Sequence, residues 1–256
     1  MKFVLAAIDR GPAARSVLLG ATRLAAMFGC DARALWVDGD EPLQSAVAAG
    51  IEVLHRHGPP VEAILAELAS TDVIAGVVGM RATPSGRRPA GHVTQEVIAA
   101  AQKVVMVVPP ESLSDDVPFQ RALLPLDGSE QAAAAVRDLV ASLSAAGVAL
   151  VAVHTFNAAS TPPFLDRPGD LAAWGAEFLA RHLPLAHTKL IWRAGSPVSG
   201  ILTAATDEAA DLIVLSWSQD LSVGHGATVR ELLARSTIPM LLVPLASTAP
   251  GGLTSG

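Results

Sequence analysis

Apolar runs of strand length alternate along this chain with alanine- and leucine-rich stretches whose hydrophobic positions recur at helical spacing. The first pair is "FVLAAIDRGPAARSVLLGATRLA", residues 3–25. Its apolar run stops at Asp9, and a turn with Gly11 and Pro12 leads into a helix-like stretch. The same pattern returns in "RALLPLDGSEQAAAAVRDLV", residues 121–140, which breaks at Asp127, Gly128 and Ser129. Two such junctions in one chain point to a duplicated unit.

Alignment of the chain with itself supports the duplication. Asp9 matches Asp127 at an offset of 118, and that offset lays the strand-like "ARALWV" from Ala32 over "LVAVHT" from Leu150. Residues 56–79 then overlay residues 193–216 without a gap at an offset of 137. The second copy therefore carries 19 additional residues between its second and third strands, where "DLAAWGAEFLARHL" predicts an amphipathic helix from Asp170 to Leu183. Finally, residues 91–110 overlay residues 226–245 at an offset of 135.

Each copy reads strand, helix, strand, a variable segment, strand, helix, strand, a Gly-containing loop, helix, strand. Such alternation predicts an α/β fold with parallel sheets covered by helices on both faces. The predicted division is a first domain over residues 1–110, shortened and lacking most of its second helix, and a second domain over residues 120–245. Residues 111–119, polar and containing Pro118, form a linker, and residues 246–256 a flexible tail. The expectation is two separate sheets. Their last strands, "KVVMVVPP" and "IPMLLVPL", are expected to adjoin across an approximate two-fold axis, because free apolar edges are a liability in water.

Composition narrows the class. At 51% hydrophobic and 16% charged residues over 256 positions, the chain can bury substantial cores and lies far from the disordered class. It has no Tyr, so the core is built from Ala, Val, Leu and Ile. With 18 basic against 24 acidic side chains, no general affinity for nucleic acid is expected. The lone Cys30 rules out an internal disulfide or a cysteine metal cage and reads as a small core residue in a reducing compartment. The opening apolar run is too short for a signal peptide, and no run approaches the ~20 residues of a membrane span. The expected location is cytoplasmic.

Searches for catalytic or metal-binding motifs give little. His55 and His57 would share a strand face, but no carboxylate or cysteine pattern completes a metal site. "VGHGATV" holds a Gly-x-Gly without the full dinucleotide fingerprint, "GMRATPSGRR" is not a P-loop, and "GSPVSG" lacks the spacing of a nucleophile elbow. Trp174 and Trp192 read as core or interface residues. No catalytic constellation is present in the sequence.

Three features together resemble the universal stress protein family, here as a tandem pair. They are "LLPLDGSEQAAAAV", "AGSPVSGILTAATDEAADLIVLS" and the paired endings of residues 91–110 and 226–245. The resemblance implies two Rossmann-like domains of the adenine nucleotide alpha hydrolase-like type, each with a five-stranded parallel sheet flanked by helices. It also implies a role in stress response by binding, not catalysis, and it leaves ATP with Mg2+ and no cofactor at all as alternatives. Pairing of the two domains within the chain and homodimerisation are implied, with no nucleic-acid or membrane partner.

Carried onto this sequence, the family pattern assigns a candidate nucleotide site in the first domain. Asp9 would meet the ribose or base and the backbone at Val37 would border adenine, while Gly79, Arg81, Gly91, His92, Val93 and Thr94 would surround the phosphates. For Asp9 and Asp127 a second reading stands beside this one, in which each carboxylate starts a turn or caps the following helix. The first copy departs from the family pattern: Ala82 occupies its second glycine position and His92 its Ser/Thr position. The second copy departs further, with Ser216, Gln219 and Ala227 at the matching positions and with Asp220 close by, so any nucleotide is expected in the first domain and only weakly. The alternative is a ligand-free, dimerising scaffold. More remote is an adenylating α/β enzyme, which would need a Ser-Gly-Gly loop where this chain has "DRGPA" and "DGSEQ".

Overall fold

β1 (Phe3–Ile8) is apolar at every position, as a strand covered on both faces must be. The computed structural model describes residues 1–38, 50–80, 91–110, 112–113, 117–157, 160–163, 167–185, 188–220 and 226–245. After β1 the first half continues with α1 (Ala14–Phe28), β2 (Asp31–Val37), β3 (Glu52–Arg56), α2 (Pro60–Ala69), β4 (Val73–Gly79), α3 (His92–Ala100) and β5 (Val105–Val108). The second half consists of β6 (Arg121–Pro125), α4 (Glu130–Ala145), β7 (Ala149–Phe156), α5 (Pro168–His182), β8 (Lys189–Ala194), α6 (Pro197–Asp207), β9 (Leu212–Trp217), α7 (Ala227–Arg235) and β10 (Met240–Pro244).

Among the described residues the strands form one ten-stranded sheet in the order β3-β2-β1-β4-β5-β10-β9-β6-β7-β8. Each half contributes the same doubly wound order, parallel throughout, with its switch point between the first and fourth strands of that half. The halves meet where β5 and β10 pair antiparallel, Met240 opposite Val107 and Leu242 opposite Val105. The expected adjacency of the last strands is therefore present, but the expected pair of separate sheets is not. Edge-to-edge pairing satisfies the backbone groups of both apolar strands and fuses the two sheets into one.

Strand alternation divides the core between the two faces of this sheet. Val4, Ala6 and Ile8 join one buried cluster and Phe3 and Leu5 the other, and both clusters run through residues of both halves. The additional helix of the second half appears as α5, whose Trp174 and Phe178 pack on His154 and Phe156 of β7 with ring centroids 5.0–5.6 Å apart. The corresponding stretch of the first half, residues 39–49, lies outside the described residues.

The segment read as a polar linker does more than span a gap. Leu113 and Phe119 are each only 5% exposed, and Leu113 receives a hydrogen bond from Ser16 Oγ through its carbonyl. The Arg23 guanidinium lies 5.2 Å from the centre of the Phe119 ring. The Asp211 carboxylate accepts from the backbone N–H groups of Gln120 and Arg121 at 2.7 and 3.0 Å, fixing the entry to β6.

Candidate functional site

At the switch point of the first half, β1 and β4 diverge at their carboxyl ends, as the fold requires of a crevice. The result is a cleft of about 410 Å3. Its floor is apolar, including Ile8, Leu35, Ile64 and Met80, and Asp9, Val37, Gly79, Gly91, Val93 and Thr94 all line it. Six of the eight candidate residues thus converge on one cleft from four different elements and their loops. Arg81 lies outside the described residues, as do Ala82, Arg87 and Arg88.

His92 does not line the cleft. Its ring is 81% exposed and pairs through Nε2 with Glu96 Oε1, one helical turn further along α3, at 2.8 Å. An imidazole at the first helical position sits beside the carboxylate four residues on, which draws the ring along the helix surface. His92 offers the cleft its backbone N–H alone.

Three other assignments gain a physical content that the spacing did not supply. Asp9 Oδ1 accepts from the backbone N–H of Gly11 at 2.7 Å, and Asp127 Oδ1 accepts from Ser129 N at 2.8 Å, so both carboxylates close an Asx turn. The turn reading of these residues is realised, while Asp9 stays exposed at the cleft and keeps Oδ2 for a ligand. The helix cap in the second half is Ser129, whose Oγ accepts from Ala132 N. Thr94, only 6% exposed, donates its hydroxyl proton to the Gly79 carbonyl at 2.7 Å and so braces the start of the loop after β4. A Cβ at Gly79 would lie 2.7 Å from Cβ of Ala13, so glycine there lets α1 approach β4.

The donors that remain are backbone groups. The first hydrogen bond of α3 runs from Gln95 N to Gly91 O, which leaves the N–H groups of His92, Val93 and Thr94 without an intrahelical acceptor at the rim of the cleft. With the positive end of the helix dipole behind them, these groups form an anion-accepting corner. Gly91, at φ −63°, is in a conformation that any residue adopts.

Across from Val37, Asp38 has φ 48° and its carboxylate accepts from Gly58 N at 3.2–3.3 Å, closing the far rim between β2 and α2. His57 leaves the end of β3 to meet Asp38 Oδ1 at 3.2 Å. Among the described residues no group of three or more His, Cys, Asp or Glu side chains could hold a metal, and no helix is long and apolar enough to cross a membrane. Cys30 is only partly buried; that burial, followed by the charge of Asp31, pushes its thiol up and keeps it in the less nucleophilic form.

The second half carries a counterpart cleft of about 420 Å3. The internal repeat predicts its walls: Asp127 stands for Asp9, Thr155 for Val37, Ser216 for Gly79, and Gly226, Thr228 and Val229 for Gly91, Val93 and Thr94. His154, Asn157 and Ser160 also line it and were not singled out from the sequence. His154 was legible in the repeat, where it overlays Trp36, but the substitution changes its chemistry. Nδ1 is 2.8 Å from the Leu126 carbonyl, which requires the proton on Nδ1.

The fold and the two crevices define a doubly wound α/β protein of the kind that binds small molecules beyond the carboxyl ends of parallel strands. The family model described as "Universal stress protein family" matches residues 118–244, and this second half of the chain belongs to that family. No curated protein matches the sequence.

Solved structures share the fold over nearly the whole length. A universal stress protein from Archaeoglobus fulgidus DSM 4304 superposes with a TM-score of 0.67 at 18% identity, over 94% of this chain and 97% of that one. A putative universal stress protein from Pseudomonas aeruginosa UCBPP-PA14 gives 0.69 at 13% identity, over 95% and 93%. The cytoplasmic domain of a prokaryotic cation chloride cotransporter also aligns, with a TM-score of 0.53 at 13% identity over 94% of each chain. One fold thus serves in different settings, and function has to be argued from the site.

Proposed function

We propose that this chain is a stress-response binding protein of two universal stress protein-like domains, residues 1–110 and 120–245, that takes ATP or another adenine nucleotide weakly in the cleft of the first. The carrying observation is the convergence of Asp9, Val37 and the N-terminus of α3 on one crevice at the switch point. An apolar cleft of about 410 Å3 suits a heterocycle, Asp9 Oδ2 can accept from a ribose hydroxyl, and the N–H groups of residues 92–94 suit phosphate oxygens. A divalent ion would be held by the phosphates, since the described residues offer no cluster for it. Binding is weak because Thr94 spends its hydroxyl proton on Gly79, His92 pairs with Glu96, and Ala82 stands where the family pattern has its second glycine.

Among the described residues of the two clefts no nucleophile is paired with a general base, and the proposed role is binding without turnover. A ligand-free scaffold is the second reading, favoured by the β5–β10 junction, which builds the pairing surface into the chain itself. Calorimetric titration with ATP and Mg2+ separates the two. The expected result is a dissociation constant of the order of 0.1–1 mM, equivalent to roughly 4–5.5 kcal/mol, weakened at least about tenfold by Gly91→Val, a change that leaves φ undisturbed and fills the rim. No heat at millimolar ATP establishes the scaffold reading instead.

A further inference from the structure

The N-terminal turn of α3 lines the first cleft, while the other end of the same helix is held by the second half of the chain. The helix spans His92–Ala100, a length of ~13 Å. Thr94 ties its start to the Gly79 carbonyl, and the buried side chains of Val97 and Ile98 seat its middle on the sheet. Its last carbonyls outrun the helix's own donors, as at any helix end, and α3 has no basic residue in its last turn to answer them. Ala101 N donates to the Val97 carbonyl, and the Gln102 side chain reaches that of Ala100 at 3.4 Å.

Gln219 supplies the donors for two more. Its side-chain amide crosses from the second half and donates to the carbonyls of Ile98 and Ala101 at 3.2 and 2.6 Å. The residue holds φ 61°, a left-handed conformation unusual for a residue with a side chain. The segment that carries it leaves β9 through Ser216, Trp217 and Ser218, all of which line the second cleft. Ala82, which overlays Gln219 in the repeat, ends in a methyl group that cannot donate, and α7 carries Arg235 in its own last turn. The latch thus joins the wall of one cleft to the helix of the other.

We infer that Gln219 is a positioning residue for the first cleft, and that through α3 it couples the wall of the second cleft to the N–H groups of residues 92–94. A short helix tied at both ends moves as one body, so releasing its C-terminal end tilts the donors at its start. The two states are latch made and latch broken. The coupling is reciprocal: a ligand on those donors steadies the segment after β9, and displacement of that segment weakens the ligand. That the ligand is a nucleotide rests on the function proposed above; the mechanical link does not.

The test applies NMR and calorimetry to the full chain, wild type against Gln219→Gly and Gln219→Lys. Glycine removes the amide but relieves the left-handed φ, so this variant is expected to fold, and lysine keeps a donor for the same carbonyls. Without nucleotide, the backbone amide resonances of Val93 and Thr94, a helix length from the change, are expected to shift in Gln219→Gly and to return toward wild type in Gln219→Lys. The dissociation constant for ATP with Mg2+ is expected to rise about fivefold or more in Gln219→Gly and to stay near wild type in Gln219→Lys. A contact that only adds stability would move the unfolding midpoint and leave ATP affinity alone. Unchanged resonances in Gln219→Gly overturn the link whether or not ATP binds, and shifted resonances with unaltered ATP affinity overturn the positioning role. Failure of wild type to bind ATP contradicts the nucleotide reading alone, and the resonances still decide the link.

Discussion

Gly79 illustrates how a residue can sit in a functional pattern and still owe its identity to packing. It lines the first cleft, yet its missing side chain is required by Ala13, which caps α1, and by Val17 in that helix, which an added Cβ would meet at 2.7 and 3.2 Å. Gly76, in the same strand, would meet Leu68 Cδ2 at 2.7 Å, but that is the far end of a flexible side chain. Gly79→Ala is therefore expected to cost about 1–3 kcal/mol, and Gly76→Ala distinctly less. Urea unfolding midpoints measure both, and equal losses would contradict the helix–strand explanation. The positions of Asp9 and Thr94 were legible in the sequence, because spacing fixes which residues reach a strand end or a helix start. The partners of Asp9 Oδ1 and the Thr94 hydroxyl were not, because a 2.7 Å contact depends on rotamers and loop closure that spacing does not encode. The outward turn of His92 was hidden for the same reason.

At the level of elements, the loop after β9 shows why the two halves are not equivalent copies. Gln219 accepts an unfavourable backbone conformation in return for two hydrogen bonds that cap α3 of the other half. Gln219→Ala keeps the strained φ and loses both bonds, an expected loss of about 1–3 kcal/mol. Gln219→Gly loses the same bonds but relieves the left-handed strain and recovers about 1 kcal/mol of it. The two variants ranked by thermal or urea midpoint check this, and Ala equalling wild type would dismiss the latch. Most elements were legible because each half repeats the same order of apolar runs and amphipathic stretches, and α5 was found from the 19 residues that interrupt the alignment. The two apolar anchors of residues 111–119 were not legible because they stand in a polar composition: Leu113 packs near Gly20 and Phe119 lies under Arg23.

For the whole molecule, one antiparallel strand pair converts two half-sheets into a continuous core on each face. The sequence indicated that β5 and β10 needed partners, but it did not show that their pairing would merge the sheets, since register and direction between distant strands leave no trace in local periodicity. The same junction sets the clefts in separate halves, each at its own switch point and each with its own chemistry. The central claim is that the first crevice takes an adenine nucleotide with its phosphates at the N-terminus of α3. The most direct measurement is a crystal structure grown with millimolar ATP and Mg2+. The predicted result is nucleotide in the first cleft alone, with phosphate oxygens within hydrogen-bond distance of the N–H groups of residues 92–94 and a ribose hydroxyl on Asp9. Nucleotide in the second cleft, or phosphates away from the start of α3, would contradict it.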